Sequence, residues 1–306
     1  DNRAVGPVRA PAAGSDESGE SGGEWIPADP ARDPDAQAPA GGLSSSVTDM
    51  ARWMAMVLDD GKGPGGARVV PAEALRQALT PQSVSAPPQA AADRPGSYGY
   101  GFNIGTTSSG RVEWSHSGAF TLGAGTAMLM LPSLDLGIIT LTNAAPVGVA
   151  ETINARFADY AQYGDRALEW RELYTEQFAE LLDPVGDLVS TRRPSAPAPP
   201  RPAEELLGVY HSDYFGEIEV RPTVPDGSSD AQTSGAGLAL AVGPGPLVWP
   251  LEHWDGDTFA VSPVGENWPR GSRGSVTFDG DTLVVKLLDA NGLGTFTRVD
   301  PGADAE

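Results

Sequence analysis

The sequence of 306 residues predicts an α+β chain: an antiparallel sheet flanked by helices, followed by a small all-β barrel. Three observations carry this. Between residues 98 and 143, short apolar runs are punctuated by Gly, Ser, Pro and Asp, as strands and turns require. Residues at helical spacing lie on either side of that region. Beyond a Pro-rich stretch, about eight short alternating segments follow with no convincing helix between them.

The elements follow in order. Residues 1 to 40 are rich in Pro and acids, with little apolar periodicity beyond Trp25-Ile26, and read as an irregular loop or disordered arm. A helix opens at Ser46, where Asp49 three residues later makes a capping box, and carries Met50, Trp53, Met54 and Val57 along one face to Gly61. That stripe is core packing. Pro71 starts a second helix, which Pro81 closes. Strands are expected at Tyr98–Ile104, Arg111–His116, Gly125–Leu131 and Leu136–Asn143; the last is almost wholly apolar and suits a central position. Helices are expected at about 148–160 and 165–182.

Residues 183 to 203 hold six prolines in 21 positions, a composition that favours extended chain over packing and marks a linker. The expected domains are 1–182, with 1–40 as loop, and 204–300 as barrel. Pro222 to Gly237 reads as an acidic, Ser- and Gly-rich hairpin insertion within that barrel.

The charge excludes several functions. The net charge is -21, and only two of the 20 basic residues are lysines, Lys62 and Lys286, so a polyanion would be repelled. No nucleic acid and no anionic membrane surface is an expected partner. Zero cysteines exclude a disulfide framework, a thiolate metal site and a cysteine nucleophile. No apolar run approaches the roughly 18 residues of a membrane span. His116, His211 and His253 are too dispersed for a metal motif, and neither metal nor cofactor is expected. There is no Gly-x-Ser-x-Gly elbow, His-Glu-x-x-His or phosphate loop.

Four motifs stand in order: Pro39-Ala40-Gly41-Gly42-Leu43-Ser44-Ser45, Tyr98-Gly99-Tyr100-Gly101-Phe102, Trp114-Ser115-His116-Ser117-Gly118-Ala119-Phe120, and Leu141-Thr142-Asn143. This set resembles the serine β-lactamase and penicillin-binding-protein family, in its class C-like and esterase-like branch, where His-Ser-Gly replaces Lys-Thr-Gly. The resemblance implies that His116, Ser117 and Gly118 line one wall of the cleft, and that Ser117 and Gly118 bind substrate. The backbone N–H of Ala119 would be one oxyanion-hole donor. The family's nucleophile motif, Ser-x-x-Lys, and its Tyr-x-Asn are absent: Asp59 and Leu283 stand three before the two lysines, and no Tyr or Ser stands two before an Asn. The resemblance therefore implies that the sequence begins downstream of both, as the C-terminal part of a hydrolase, inactive alone.

The family often carries an appended lipocalin-like domain, which Leu207-Gly208-Val209-Tyr210, His253-Trp254-Asp255 and Thr295-Phe296-Thr297-Arg298 resemble. The implied function of the intact protein is acyl-serine hydrolysis of a β-lactam, peptide or ester, outside the cytoplasm. Histidine in place of lysine favours esters or peptides, because an imidazole is mostly neutral near pH 7 and suits a β-lactam carboxylate less than an ammonium does. The alternative is a non-catalytic module whose aromatic-bearing barrel recognises a small apolar or cell-envelope ligand. A triad centred on His116 is the rival enzyme reading, but no nucleophile elbow supports it.

Overall fold

In the computed structural model the described residues are 4–9, 25–28, 34–223, 237–245, 247–263 and 265–300. The chain divides into two compact units, Asp1–Leu181 and Leu182–Glu306. Within the described part of the expected N-terminal loop, β1 (Pro7–Arg9) pairs antiparallel with β2 (Trp25–Pro27). The expected arm thus contains a small hairpin and, at its end, a 3-10 turn (Asp35–Gln37) that leads into the helix Ala38–Gly41; residues 1–3, 10–24 and 29–33 lie outside those described. The backbone of Gly6 runs so close to the Leu122 and Gly123 carbonyls that a Cβ there would lie 2.1 Å from one of them.

Two helices follow the four-residue α1 (Ala38–Gly41). In α2 (Val47–Leu58), the Ser46 hydroxyl accepts the Asp49 N–H at 3.1 Å and donates to the Asp49 carboxylate at 2.9 Å, a cap that fixes the start of the helix. The α3 helix (Ala72–Ala78) begins after Pro71.

The sheet has six strands in sequential order: β3 (Ser83–Ala86), β4 (Gly96–Tyr98), β5 (Asn103–Thr106), β6 (Val112–Phe120), β7 (Ala124–Leu131) and β8 (Leu136–Thr142). Two expectations differ from it. Residues 98–104 form not one strand but a hairpin, because Gly101 takes φ +83° and the Gly99 N–H closes onto the Phe102 carbonyl at 2.8 Å. The apolar last strand, β8, stands at the end of the strand order, not in the middle. Its apolar character is explained by cover on both faces, from α2 on one side and from α4 (Val149–Tyr163) on the other.

The two faces have separate cores. Met54 and Val57 of α2 pack with Leu75, Phe102, Met128 and Met130. Leu129 and Leu131 pack with Ala158 of α4. The α5 helix (Trp170–Ala179) starts later than the expected residue 165. The buried Asp159 carboxylate accepts both the Ala167 N–H at 2.7 Å and the Trp170 indole N–H at 2.5 Å, which holds the intervening chain in a loop. At Gly148, φ +77°, a Cβ would meet Tyr174 at 2.7 Å, so glycine lets α5 approach the start of α4.

The second unit opens with the Pro-rich segment, which is packed rather than free. Asp187 accepts the Ser275 N–H at 2.8 Å and its hydroxyl at 2.6 Å. Leu188 is buried against Trp254 and Ala260, and Arg201 bonds Asp257 at 2.7 Å. Composition misses this because each contact comes from a residue between the prolines. After the short α6 (Ala203–Leu206) come β9 (Gly208–Ser212), β10 (Gly216–Pro222), β11 (Leu238–Val242), β12 (Leu247–Asp255), β13 (Thr258–Val261), β14 (Gly274–Asp279), β15 (Thr282–Val285) and β16 (Thr295–Arg298), which close into one antiparallel barrel. Most of the insertion expected at 222–237 lies outside the described residues.

Inward positions of the barrel are filled by large side chains, among them Tyr210, Trp249, Phe259, Phe278, Leu283 and Phe296, which bury one another. Arg298 closes one end: it bonds the Leu207 carbonyl and the Tyr210 hydroxyl, each at 2.6 Å, and lies 4.9 Å over the Tyr210 ring. No helix among the described residues is long and apolar enough to cross a membrane. Because Phe296 is fully buried and its neighbours are locked in strands, Phe296→Ala should destabilise the barrel by about 3 to 5 kcal/mol. Urea denaturation followed by tryptophan fluorescence checks this, and a loss below about 1 kcal/mol contradicts the packing described.

Candidate active site

The His-Ser-Gly triplet sits in the later half of β6, and the geometry around it follows from an inequality between the strand's two edges. On one edge β7 pairs with β6 from Trp114 to Phe120. On the other, β5 pairs only as far as Ser115, opposite Asn103. No described strand pairs with that edge from His116 to Ala119; main-chain groups alternate between the two edges, so those of alternate residues there have no described strand partner.

Alternation along β6 separates adjacent side chains. His116 is opposite Met128, which is opposite Ile139; both belong to the α2-side cluster. Ser117 is opposite Ala127 and then Thr140, whose hydroxyl bonds Asn154 of α4 at 2.7 Å, so Ser117 belongs to the α4 side. The fold therefore brings the two residues to one strand but points their side chains to opposite faces. Gly118 returns to the His116 side, and a Cβ there would lie 3.0 Å from the Thr126 hydroxyl. Ala119 is exposed, opposite Gly125.

His116 is half-buried and tethered: the Tyr98 hydroxyl lies 3.0 Å from its Nε2, with the rings tilted by 60°. The imidazole accepts from the phenol in one tautomer and donates to it in the other. Tyr98 ends β4, just before the Gly99–Phe102 turn, which explains how a residue two strands away reaches the edge that β5 vacates. The sequence places Tyr98 in the motif Tyr98-Gly99-Tyr100-Gly101-Phe102 but carries no signal of this contact. Asn143, just past β8, donates to the Val5 carbonyl at 3.3 Å.

The α4 side carries an acidic group that sequence reading missed. Glu113 shares the Ser117 face of β6, and burial raises its carboxyl pKa above the ordinary value. Glu151, in the first turn of α4, is raised by burial and held back by its own backbone N–H and by the Ser117 hydroxyl. Burial first, then the charges of Glu113 and Glu151, raise the Tyr174 phenol. Only the period-2 run Glu113-x-Ser115-x-Ser117 signals part of this in the sequence. Among the described residues no ion pair reaches Glu113 or Glu151, and no group of three or more His, Cys, Asp or Glu is placed to hold a metal. A groove of about 580 Å³ opens at the opposite end of β6, lined by residues such as Arg111, Trp114 and Ser133, and none of the triplet residues lines it.

A family model described as Beta-lactamase matches residues 4–162. The unguisins hydrolase ungD of Aspergillus violaceofuscus is 27% identical over 160 residues, which are 48% of this chain and 27% of that protein. The chain thus spans about a quarter of the length of this curated relative. Among solved structures, the C-terminal domain of penicillin binding protein Rv0907 is 41% identical, with 38% of this chain and 99% of that domain covered and a TM-score of 0.30. The octameric penicillin-binding protein homologue from Pyrococcus abyssi is 15% identical, covering 92% of this chain and 51% of the other, with a TM-score of 0.36.

The raised pKa of Glu113 makes a signed prediction. Its protonated form is favoured by folding, so its contribution to stability is full below the unfolded carboxylate's value of about 4.5 and is lost as pH rises through the higher folded value. Glu113→Gln, a permanent mimic of the protonated acid, should match the wild type in melting temperature near pH 4 and exceed it near pH 8. Parallel melting curves across that range would show that Glu113 is not desolvated.

Proposed function

The chain belongs to the beta-lactamase family, and from that premise we propose that it forms the substrate-strand side of a serine hydrolase working through an acyl-serine intermediate. The observation that carries this reading is the unpaired edge of β6 from His116 to Ala119, with His116 held at its start by Tyr98. An extended acyl substrate adds alongside that edge, and the Ala119 N–H donates to the oxyanion that develops as the ester or amide carbonyl is attacked. Gly118 leaves room for the chain, since no Cβ rises from it on the His116 side. His116, oriented by the Tyr98 hydroxyl, moves a proton at the leaving group or at the attacking hydroxyl.

The 306 residues contain no Ser-x-x-Lys, so the reading assigns the nucleophile and its base to polypeptide outside them. Esters or peptides fit better than β-lactams, for the reason given by histidine at position 116. A site of action outside the cytoplasm goes with this family reading, as do a small-molecule or peptide substrate and independence of nucleic acid. Against the alternative, a non-catalytic module whose barrel recognises a small apolar or cell-envelope ligand, stands the filling of the barrel's inward positions by side chains among the described residues.

Treating the intact protein with a fluorophosphonate should give one covalent adduct by mass spectrometry, on a serine outside these residues, and no adduct on the 306-residue chain alone. Absence of an adduct on the intact protein contradicts the acyl-serine reading. Tyr98→Phe should lower turnover of a nitrophenyl ester by roughly ten- to a hundredfold by releasing His116, with little change in melting temperature. Full activity in that variant would remove His116 orientation from the mechanism.

A further inference from the structure

The groove at the start of β6 is built around an arginine that the protein leaves short of acceptors. Arg111 lines it with Val112, Trp114, Pro132 and Ser133, and its volume of about 580 Å³ suits a small molecule. The Arg111 Nη1 donates to the Ser133 hydroxyl at 3.1 Å. Its Nε is buried without an acceptor, and among the described residues no carboxylate lies within ion-pair distance of the guanidinium. A guanidinium free to swing outward would give every N–H to water, so a buried donor left unpaired means that the side chain is held in. The turn that holds it is tied on three sides. The Arg111 N–H donates to the Thr107 hydroxyl at 3.2 Å, and the Thr107 N–H to the Arg111 carbonyl at 2.8 Å. From α4, the Tyr163 hydroxyl lies 2.6 Å from that of Ser108, and Gln162 accepts from the Ser109 hydroxyl at 2.8 Å. Arg94 donates to the Thr107 carbonyl at 3.2 Å. Ser133 accepts from Arg111, and among the described residues nothing accepts its own hydroxyl proton.

We infer that this groove is a binding site for a carboxylate carried on a flat apolar body, with Arg111 and Ser133 as its donors and Val112 and Trp114 against the apolar part. A guanidinium and a hydroxyl bonded side by side give two neighbouring donors to the two oxygens of a carboxylate, and the donors are set in place before the ligand arrives. One negative charge fits better than the two of a phosphate ester. A single guanidinium balances the first, and the second would stand uncompensated in a chain of net charge -21. The site is independent of the hydrolase reading. Arg111 stands one residue before β6 and five before His116, roughly 16 Å along a strand at about 3.3 Å per residue, so a ligand here leaves the edge from His116 to Ala119 open.

Calorimetry on the intact protein tests this with 2-naphthoate, its neutral amide 2-naphthamide and 2-naphthyl phosphate, which share an aromatic body and differ in charge. The naphthoate should bind at least about tenfold more tightly than the amide, and more tightly than the phosphate. Arg111→Gln should bring the naphthoate to within about twofold of the amide. Ser133→Ala should weaken the naphthoate by roughly threefold and leave the amide unchanged. Melting curves check that both variants fold; if Arg111→Gln does not, the wild-type comparison and Ser133→Ala decide. No binding of naphthoate at about 10 mM, equal affinity for the amide, or a phosphate that binds as tightly or more so overturns the proposal. So does a naphthoate affinity unchanged in Arg111→Gln, which would place the ligand elsewhere, or, where that variant fails to fold, one unchanged in Ser133→Ala.

Discussion

The constraint on which the rest of the first unit depends is the unequal pairing of β6. Its whole later half is fixed by β7 on one edge, and β7 is fixed in turn by β8 over seven residue pairs. That ladder makes the strand rigid. On the other edge β5 stops at Ser115, so rigidity and access coincide between His116 and Ala119. On the proposed reading, an extended ligand would meet main-chain groups whose positions are set before it arrives, which spares the ordering cost that a flexible loop would impose.

Two layers follow from strand alternation. Even-numbered residues of β6 look toward the α2 core, odd-numbered ones toward α4, and the site therefore has two chemically different walls. On one wall an imidazole is held by a phenol. On the other stand the Ser117 hydroxyl, the Glu113 and Glu151 carboxyls, both raised by burial, and the Tyr174 phenol. The Tyr98 hydroxyl orients His116, while buried Met, Leu and Val side chains pack on both faces of the sheet. The barrel follows a different logic. Closure leaves it no free edge, and large aromatic and aliphatic side chains fill its inward positions among the described residues.

Much of this was legible in the sequence where signals were local. The capped helix from Val47, the alternating strands and the eight barrel segments were visible because period, caps and turns are written in adjacent residues. The His-Ser-Gly triplet was legible as a motif, but what holds it was not. Tyr98 lies 18 residues away and reaches His116 only because β5 is short. Glu151 lies on a helix 34 residues after Ser117 in sequence, and no periodicity links the two. The apolar β8 suggested a central strand, since hydropathy reports cover on both faces and says nothing of how many edges are paired. Proline content suggested a free linker at 183–203, because composition does not register Asp187 and Leu188, which anchor it.

The central claim is that the unpaired edge of β6 receives the acyl chain. Amide hydrogen exchange of the intact protein, before and after reaction with a phosphonate that carries a peptide-like acyl group, tests it most directly. The account predicts new protection at the Ser117 and Ala119 amides, which share the free edge, with the Gly118 amide, which points to β7, and the barrel unchanged. Protection confined to the Arg111–Trp114 groove or to the barrel, with Ser117 and Ala119 exchanging as before, would contradict it.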